Sequence, residues 1–293
     1  MTQTKILITG ATGNVGTKLV KKLATLNIPF KALVRNNDSG DLLKSLPQAE
    51  VIVADLADES ALSKALQGIE KTFLLTSSSA QAEQLQLNFV NAAKKAGVKH
   101  IVKLSQFAAE ESSPVRFLHY HAKVENRIKE LGLTYTFLRP NLYMQGLIAY
   151  KDFIHYEGLF YAALGNAAIS MVDVRDIAAV AAIALTDAGH ENKMYNVTGK
   201  EALTHYEMAD IFSKVLGKKV TFVDVAPEQM EPALIAAGFP AWQAEGIIED
   251  YAHYARGEAA AVYDDVCDVT GHSAISFEQF VTDHRDIFGY TNL

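Results

Sequence analysis

The chain has 293 residues, 49% of them hydrophobic and 21% charged, with a formal net charge of −7. That length allows one large α/β unit or two domains with a sizeable core, and the acidic balance argues against a nucleic-acid partner. A single cysteine, Cys267, excludes an internal disulfide, no apolar run reaches membrane-spanning length, and the first strand begins too early for a signal peptide.

The expected location is therefore the cytoplasm, a reducing compartment. The acidic-apolar setting of Cys267, DDVCDV, marks it as structural rather than as a redox thiol.

Lys5 to Thr9 is a short apolar run, followed at once by Gly10, Gly13 and Gly16 and by Val15, Leu19, Val20 and Leu23 at helical spacing. Strand, glycine turn and helix form the setting of a dinucleotide-phosphate site. Gly10 permits the tight turn, Gly13 lets backbone N–H groups approach a pyrophosphate, and Gly16 lets the helix pack closely on the strand. Thr12, Asn14 and Val15 complete the loop, and the helix N-terminus presents free N–H groups and partial positive charge to the phosphates. The competing reading is a glycine-rich turn that binds nothing.

Further strands are predicted at Phe30–Arg35, Glu50–Leu56, Lys71–Thr76, His100–Ser105 and Thr134–Leu138. Helical patterns at Ser60–Leu66, Gln81–Ala96 and Val115–Leu131 lie between them. Near-continuously apolar strands alternating with helices imply an α/β doubly wound parallel sheet covered on both faces. Beyond Arg139-Pro140 the alternation fails, and the aromatic-rich stretch Asn141–Ala168 reads as loops and short helices. A short strand at Ala168–Met171, a helix capped by Asp173 and a strand at Lys193–Val197 follow. From Leu203 the chain is mostly helical: Thr204 with Glu207 forms a capping box, Lys219–Val225 is a strand, and one last helix runs from Ser276 to Phe288.

Cofactor choice is argued from the second strand. An NAD site places Asp or Glu about 20 residues beyond the glycines. Here Arg35 stands at the strand end, followed by Asn36, with no carboxylate before Asp38. A guanidinium suits a 2′-phosphate, so NADP is favoured, with NADPH preferred over NADH; the alternative is a surface arginine with no ligand. Asp55 and Leu56 end the third strand where adenine would lie, and Asp55 also suits a cap on the next helix. Thr76, Ser77 and Ser78 follow the fourth strand and face the ribose–pyrophosphate, or serve as turn formers.

TGATGNVG, the VR closing the second strand, ADLAD and LGLTYTFLRPNLYMQ resemble the NmrA-like branch of atypical short-chain dehydrogenases/reductases, over at least Lys5–Ala184. Within it the chain looks most like small bacterial NAD(P)H:quinone reductases and triphenylmethane reductases. The resemblance implies a Rossmann domain (1–140 with 169–198) and a smaller, mostly helical substrate lobe (141–168 and 199–293), with substrate between them.

One departure limits the analogy. Typical members use a serine with Tyr-x-x-x-Lys, the lysine lowering the tyrosine pKa for proton relay. The matching helix here reads HYHAKVENRI, whose i, i+4 pair is His121 and Glu125. Tyr120 and Lys123 are three apart and so neighbours on a helix. The His121/Glu125 pair reads either as carboxylate orienting imidazole or as a surface ion pair. Ser105, at the end of the fifth strand, takes the place of the family serine. The catalytic candidates are thus Ser105, which contacts nicotinamide or substrate or only caps the turn, Tyr120, His121 and Lys123; Phe107, Tyr143 and Met144 are candidate substrate-pocket residues or ordinary interdomain core. No metal-ligand spacing is readable.

Hydride transfer to an activated acceptor needs mainly that donor and acceptor be held close. The missing tyrosine therefore points to an NADPH-dependent reductase of a quinone or similar small molecule. The alternatives are a non-enzymatic NAD(P)-binding redox sensor acting through a protein partner and, more remotely, an epimerase- or dehydratase-like member retaining its cofactor. A homodimer stays open; a membrane partner is not expected.

Overall fold

A computed structural model of the chain describes residues 5–36 and 41–289; Asp38 lies outside them. In chain order β1 (Ile6–Ile8), α1 (Asn14–Thr25), β2 (Phe30–Val34), α2 (Asp41–Lys44), β3 (Ala49–Val53) and α3 (Glu59–Ala65) come first. Next are β4 (Lys71–Leu74), α4 (Ala82–Lys95), β5 (His100–Leu104), α5 (Arg116–Glu130) and β6 (Thr134–Pro140). A 3₁₀ helix (Met144–Tyr150), α6 (Lys151–Tyr156), β7 (Leu159–Ala162), β8 (Ala168–Ile169), α7 (Val174–Thr186) and β9 (Lys193–Val197) follow. The chain closes with β10 (Leu203–Thr204), α8 (His205–Leu216), β11 (Thr221–Asp224), α9 (Pro227–Ala236), α10 (Ala241–Ala255), α11 (Asp265–Thr270), α12 (Phe277–Asp283) and α13 (Arg285–Phe288).

Seven strands form one sheet in the order β3-β2-β1-β4-β5-β6-β9, and the ladders from β3 through β6 are parallel. Burial explains the order. Every residue of β1 and β5 is buried, as strands covered on both faces require, whereas edge strand β3 leaves Val53 46% exposed. Strand order reverses between β1 and β4, and in such sheets ligands bind at the carboxyl ends of the strands flanking that reversal.

The chain divides into two compact units. The first comprises Met1–Ser113, Leu118–Arg139 and Ile177–Tyr195. Leu7, Phe89, Val90, Ile101, Val124, Ile128 and Phe137 lie in one of its buried clusters. The second comprises Pro114–Phe117, Pro140–Asp176 and Asn196–Leu293. Its core is aromatic: Phe212 meets Phe160, Phe277 and Phe288 at ring-centroid distances of 5.7, 5.4 and 5.0 Å.

Three local expectations need correction. The aromatic stretch contains β7, which pairs in parallel with β11 about 60 residues later. The final helix is two helices, broken at His284, whose Nδ1 bonds the Phe280 carbonyl at 2.8 Å. The cap of α3 is Asp58, accepting from the Ala61 amide, while Asp55 accepts from the Ala57 amide at 2.8 Å. Cys267 is exposed on α11. The Thr204–Glu207 capping box forms as the sequence indicates.

Candidate functional site

The glycine loop takes its shape from steric demands that can be assigned one by one. Gly10 adopts φ +63°, and a Cβ there would lie 2.8 Å from Leu75 Cγ. At Gly16 a Cβ would sit 2.0 Å from the Gly10 carbonyl oxygen, so only glycine lets α1 lie this close to the turn. Gly13 differs: its Cβ would meet nothing nearer than that oxygen at 3.4 Å, an ordinary contact. No packing within the chain demands a glycine there, which leaves a cradle for a ligand.

Gly13 is also the N-cap of α1, with no side-chain cap and no acid in the first turn. Free first-turn N–H groups with helix-dipole charge suit an anion. Thr12 and Asn14 are exposed beside them, and the Val15 side chain is buried, so Val15 offers its backbone. Thr9, with Oγ1 donating to the Leu75 carbonyl and accepting from its N–H, both at 2.8 Å, ties the end of β1 to the end of β4.

Arg35 is exposed just beyond β2, and Asp55 is exposed and Leu56 half-buried just beyond β3. After β4, Thr76 Oγ1 accepts from Gln86 Nε2 at 2.8 Å. Gln86 is buried on α4, and its Oε1 has no hydrogen-bond partner among the described residues. The Thr76 O–H can still donate to a further acceptor. Ser77 is exposed and Ser78 half-buried beside it. Exposed cation, uncapped helix start and hydroxyls at adjacent strand ends together fit a phosphorylated dinucleotide.

A second cluster stands on β5 and α5. Alternate residues of a strand share a face, and Ile101, Lys103 and Ser105 point toward α5, where His121 and Glu125 share a face at i, i+4. The resulting pairing is not the one the helix spacing suggests. Glu125, 1% exposed, accepts from Ser105 Oγ at 2.5 Å and from Arg139 Nε and Nη2 at 3.0 and 2.5 Å. His121 instead meets Lys103, whose Nζ is 2.7 Å from His121 Nδ1 and donates to the Leu104 carbonyl at 3.1 Å. Both readings of a direct His121–Glu125 pair are therefore corrected: imidazole and carboxylate each take a partner from the sheet.

Burial pushes the Lys103 ammonium down to about 7, with Glu125 opposing and Arg139 assisting. Burial, then the charges of Lys103 and Arg139, hold His121 well below the usual imidazole value. Tyr120 is buried with its ring 4.2 Å from that of His121. Lys123 turns away, with Nζ 3.4 Å from Glu83 on α4. Tyr120 and Lys123 thus engage different partners, although they are neighbours along the helix.

Phe107 is buried just past β5, and Ala108 adopts φ +58°, a left-handed conformation strained for a residue with a Cβ. In the second unit Tyr143 bridges Val172, and Met144, 1% exposed, belongs to the aromatic core. Met144 is therefore a packing residue rather than an open pocket wall. Asn141, within the LRPN motif, donates to Ser170 Oγ and the Ala259 carbonyl, both at 2.9 Å, and is structural. Sequence reading missed Lys103, Arg139 and Gln86; the one available signal was a lysine inside the otherwise apolar strand HIVKLS. Among the described residues no group of three His, Cys, Asp or Glu could hold a metal, and no helix is long and apolar enough to cross a membrane.

The sequence matches the NmrA-like family over residues 2–280. It is 37% identical over 284 residues to the NAD(P)H azoreductase of Xenophilus azovorans, covering 97% of this chain and 99% of that one. The NADPH-dependent quinone oxidoreductase of Escherichia coli complexed with NADPH superposes with a TM-score of 0.87 at 31% identity, over 95% of this chain and 99% of that one. The Citrobacter sp. triphenylmethane reductase complexed with NADP(H) gives a TM-score of 0.82 at 32% identity, over 95% and 99%.

Proposed function

The chain belongs to the NmrA-like family and is an NAD(P)H-dependent reductase, and from that premise we propose that it uses NADPH in preference to NADH to reduce a quinone or comparably activated acceptor. The exposed guanidinium of Arg35 at the end of β2 carries the cofactor choice, since that position in an NAD site holds a carboxylate. The amides that open α1 would hold the pyrophosphate and Arg35 the 2′-phosphate. Asp55 and Leu56 would meet the adenine, and Thr76, Ser77 and Ser78 the ribose and phosphates. The bound cofactor supplies hydride.

The chain's own residues then have limited work. The Ser105 hydroxyl, which its bond to Glu125 orients, stands at the end of β5 with Arg139 behind it. His121 offers the remaining polar edge, and Phe107 an apolar one. No tyrosine–lysine dyad is assembled, which suits acceptors whose reduction does not require strong acid assistance at a ketone oxygen. Similarity to an azoreductase, a quinone oxidoreductase and a triphenylmethane reductase supports the same acceptor class.

Mixing the protein with NADPH and a panel of quinones, azo dyes and triphenylmethane dyes, and following loss of reduced nicotinamide, tests the activity. Oxidation with at least one class is expected; none across the panel would overturn the reading. For cofactor choice, Arg35→Ala should weaken NADPH binding roughly 10- to 100-fold, the size of a lost charge-assisted bond, and leave NADH almost unchanged. Calorimetric titration with both nucleotides measures this, and equal losses would contradict the assignment.

A further inference from the structure

Lys103 has no role in the reading above, and a fully buried lysine calls for one. It lies within β5 at 0% exposure. The neighbouring carboxylate, Glu125, is taken by Ser105 and Arg139, so the short partner of Lys103 is an imidazole nitrogen instead. We propose that Lys103 is a positioning residue that holds His121 in its Nε2–H form and passes it a proton, making His121 the proton donor to the reduced acceptor. This rests on the reductase reading and names the donor it lacks.

The geometry dictates the tautomer. An ammonium can only donate. His121 Nδ1, 2.7 Å from Lys103 Nζ, must therefore accept, and the proton of the neutral ring sits on Nε2. Among the described residues Nε2 has no hydrogen-bond partner, yet it is absent from the sealed, unsatisfied polar atoms. His121 is only half-buried. Its N–H edge is thus open to solvent or to a ligand.

Neutral imidazole is too weak an acid to lose that proton alone. As the Nε2–H bond breaks and an O–H or N–H bond forms on the hydride-reduced acceptor, a proton leaves Lys103 Nζ for Nδ1. The ring stays neutral throughout, and Lys103 is left as an amine. Return of the Nδ1 proton to the amine, with uptake of a solvent proton at Nε2, resets the pair. Net, one hydride and one proton reach the acceptor. The groups facing the pair are Glu125 and Tyr120 from α5, Ser105 beyond β5 and Arg139 from β6. Burial, helped by Arg139 and opposed by Glu125, pushes Lys103 down to about 7, a suitable strength for an acid near neutrality.

Two-bond ¹⁵N–¹H NMR of His121 in the native protein without nucleotide reads the tautomer directly. An Nε2–H signature below about pH 7 and a move toward Nδ1–H above it are expected, following Lys103. Lys103→Met should give a tautomer mixture independent of pH and slow acceptor reduction roughly 100- to 10,000-fold with NADPH affinity unchanged. Lys103→Arg should keep the Nε2–H form at every pH yet slow reduction similarly, because a guanidinium does not release its proton.

An Nδ1–H signature in the native protein at low pH would overturn the proposal. So would a Lys103→Met enzyme with the native tautomer and pH profile. Should Lys103→Met fail to fold, the native titration and Lys103→Arg still decide. If no acceptor is turned over, the reductase reading fails, and the tautomer titration still judges the positioning role separately.

Discussion

Glu125 is a carboxylate at 1% exposure, and three donors converge on it from the ends of two strands. Burying such a pair gains little over an apolar replacement, but breaking it leaves one member buried without its counter-charge. Arg139→Met should therefore destabilise the protein by about 3–5 kcal/mol in urea unfolding. Removing both members together, as Glu125→Leu with Arg139→Met, should cost clearly less than the two single losses added. A double variant as unstable as that sum would mean the pair is uncoupled, and its effect merely lost packing. The same pair fixes the Ser105 hydroxyl, so the stability and the site draw on one set of bonds.

At the level of elements, the start of α7 is held by two aspartates with different partners. Asp173 is gripped by Arg175, with Nε and Nη2 at 2.9 and 2.8 Å. Asp176 accepts from the Ile275 amide at 2.8 Å and ties α7 to the segment before α12. Burial pushes Asp176 up to about 6, with the Ile275 bond opposing. Its folded value lies above the ordinary 3.8, so the folded state holds the proton more tightly. That contribution to stability is full below about 3.8 and is lost as pH rises through about 6. Asp176→Asn keeps an acceptor for Ile275 without the buried charge. It should raise the melting temperature at about pH 8 by the equivalent of about 1–3 kcal/mol, an advantage that disappears below about pH 4. An equal gain at both pH values would show that charge is not the cause.

Elements with strong local signals were legible from sequence: the glycine turn before α1, the capping box of α8 and the apolar strands of the large sheet. Strand β7 was not, because LFYA lacks alternation and its partner β11 comes about 60 residues later. The site divides on the same line. His121 and Glu125 are legible as face-mates because i, i+4 spacing is local. Lys103 and Arg139 are not legible as their partners, since strand packing alone brings those side chains in.

Across the whole molecule, each unit holds a buried histidine whose surroundings suit the neutral ring. In the first, Thr136 Oγ1 donates to the His190 carbonyl at 2.6 Å and so accepts from His100 Nε2 at 2.8 Å, while His100 Nδ1 has no partner among the described residues. Burial, helped by the charge of Lys71, pushes His100 down to about 4. In the second, His205 packs beside Phe160 and Phe222 at ring distances of 5.9 and 5.1 Å, and burial pushes it down to about 4 with Asp224 opposing. Both folded values lie below the ordinary 6.5, so the unfolded chain takes up protons first. The stability these residues contribute is full above about 6.5 and is lost as pH falls through about 4, on the order of 3 kcal/mol each. Asp176 works the other way between about 6 and 3.8 and offsets some of the loss. Calorimetry across the window should show a falling melting temperature with net proton uptake on unfolding. His100→Gln and His205→Phe, which remove one titrating ring each, should flatten that fall separately and additively because the two lie in different cores. If neither substitution changes the slope, acid sensitivity must originate in carboxylate pairs instead, Arg175–Asp283 first among them.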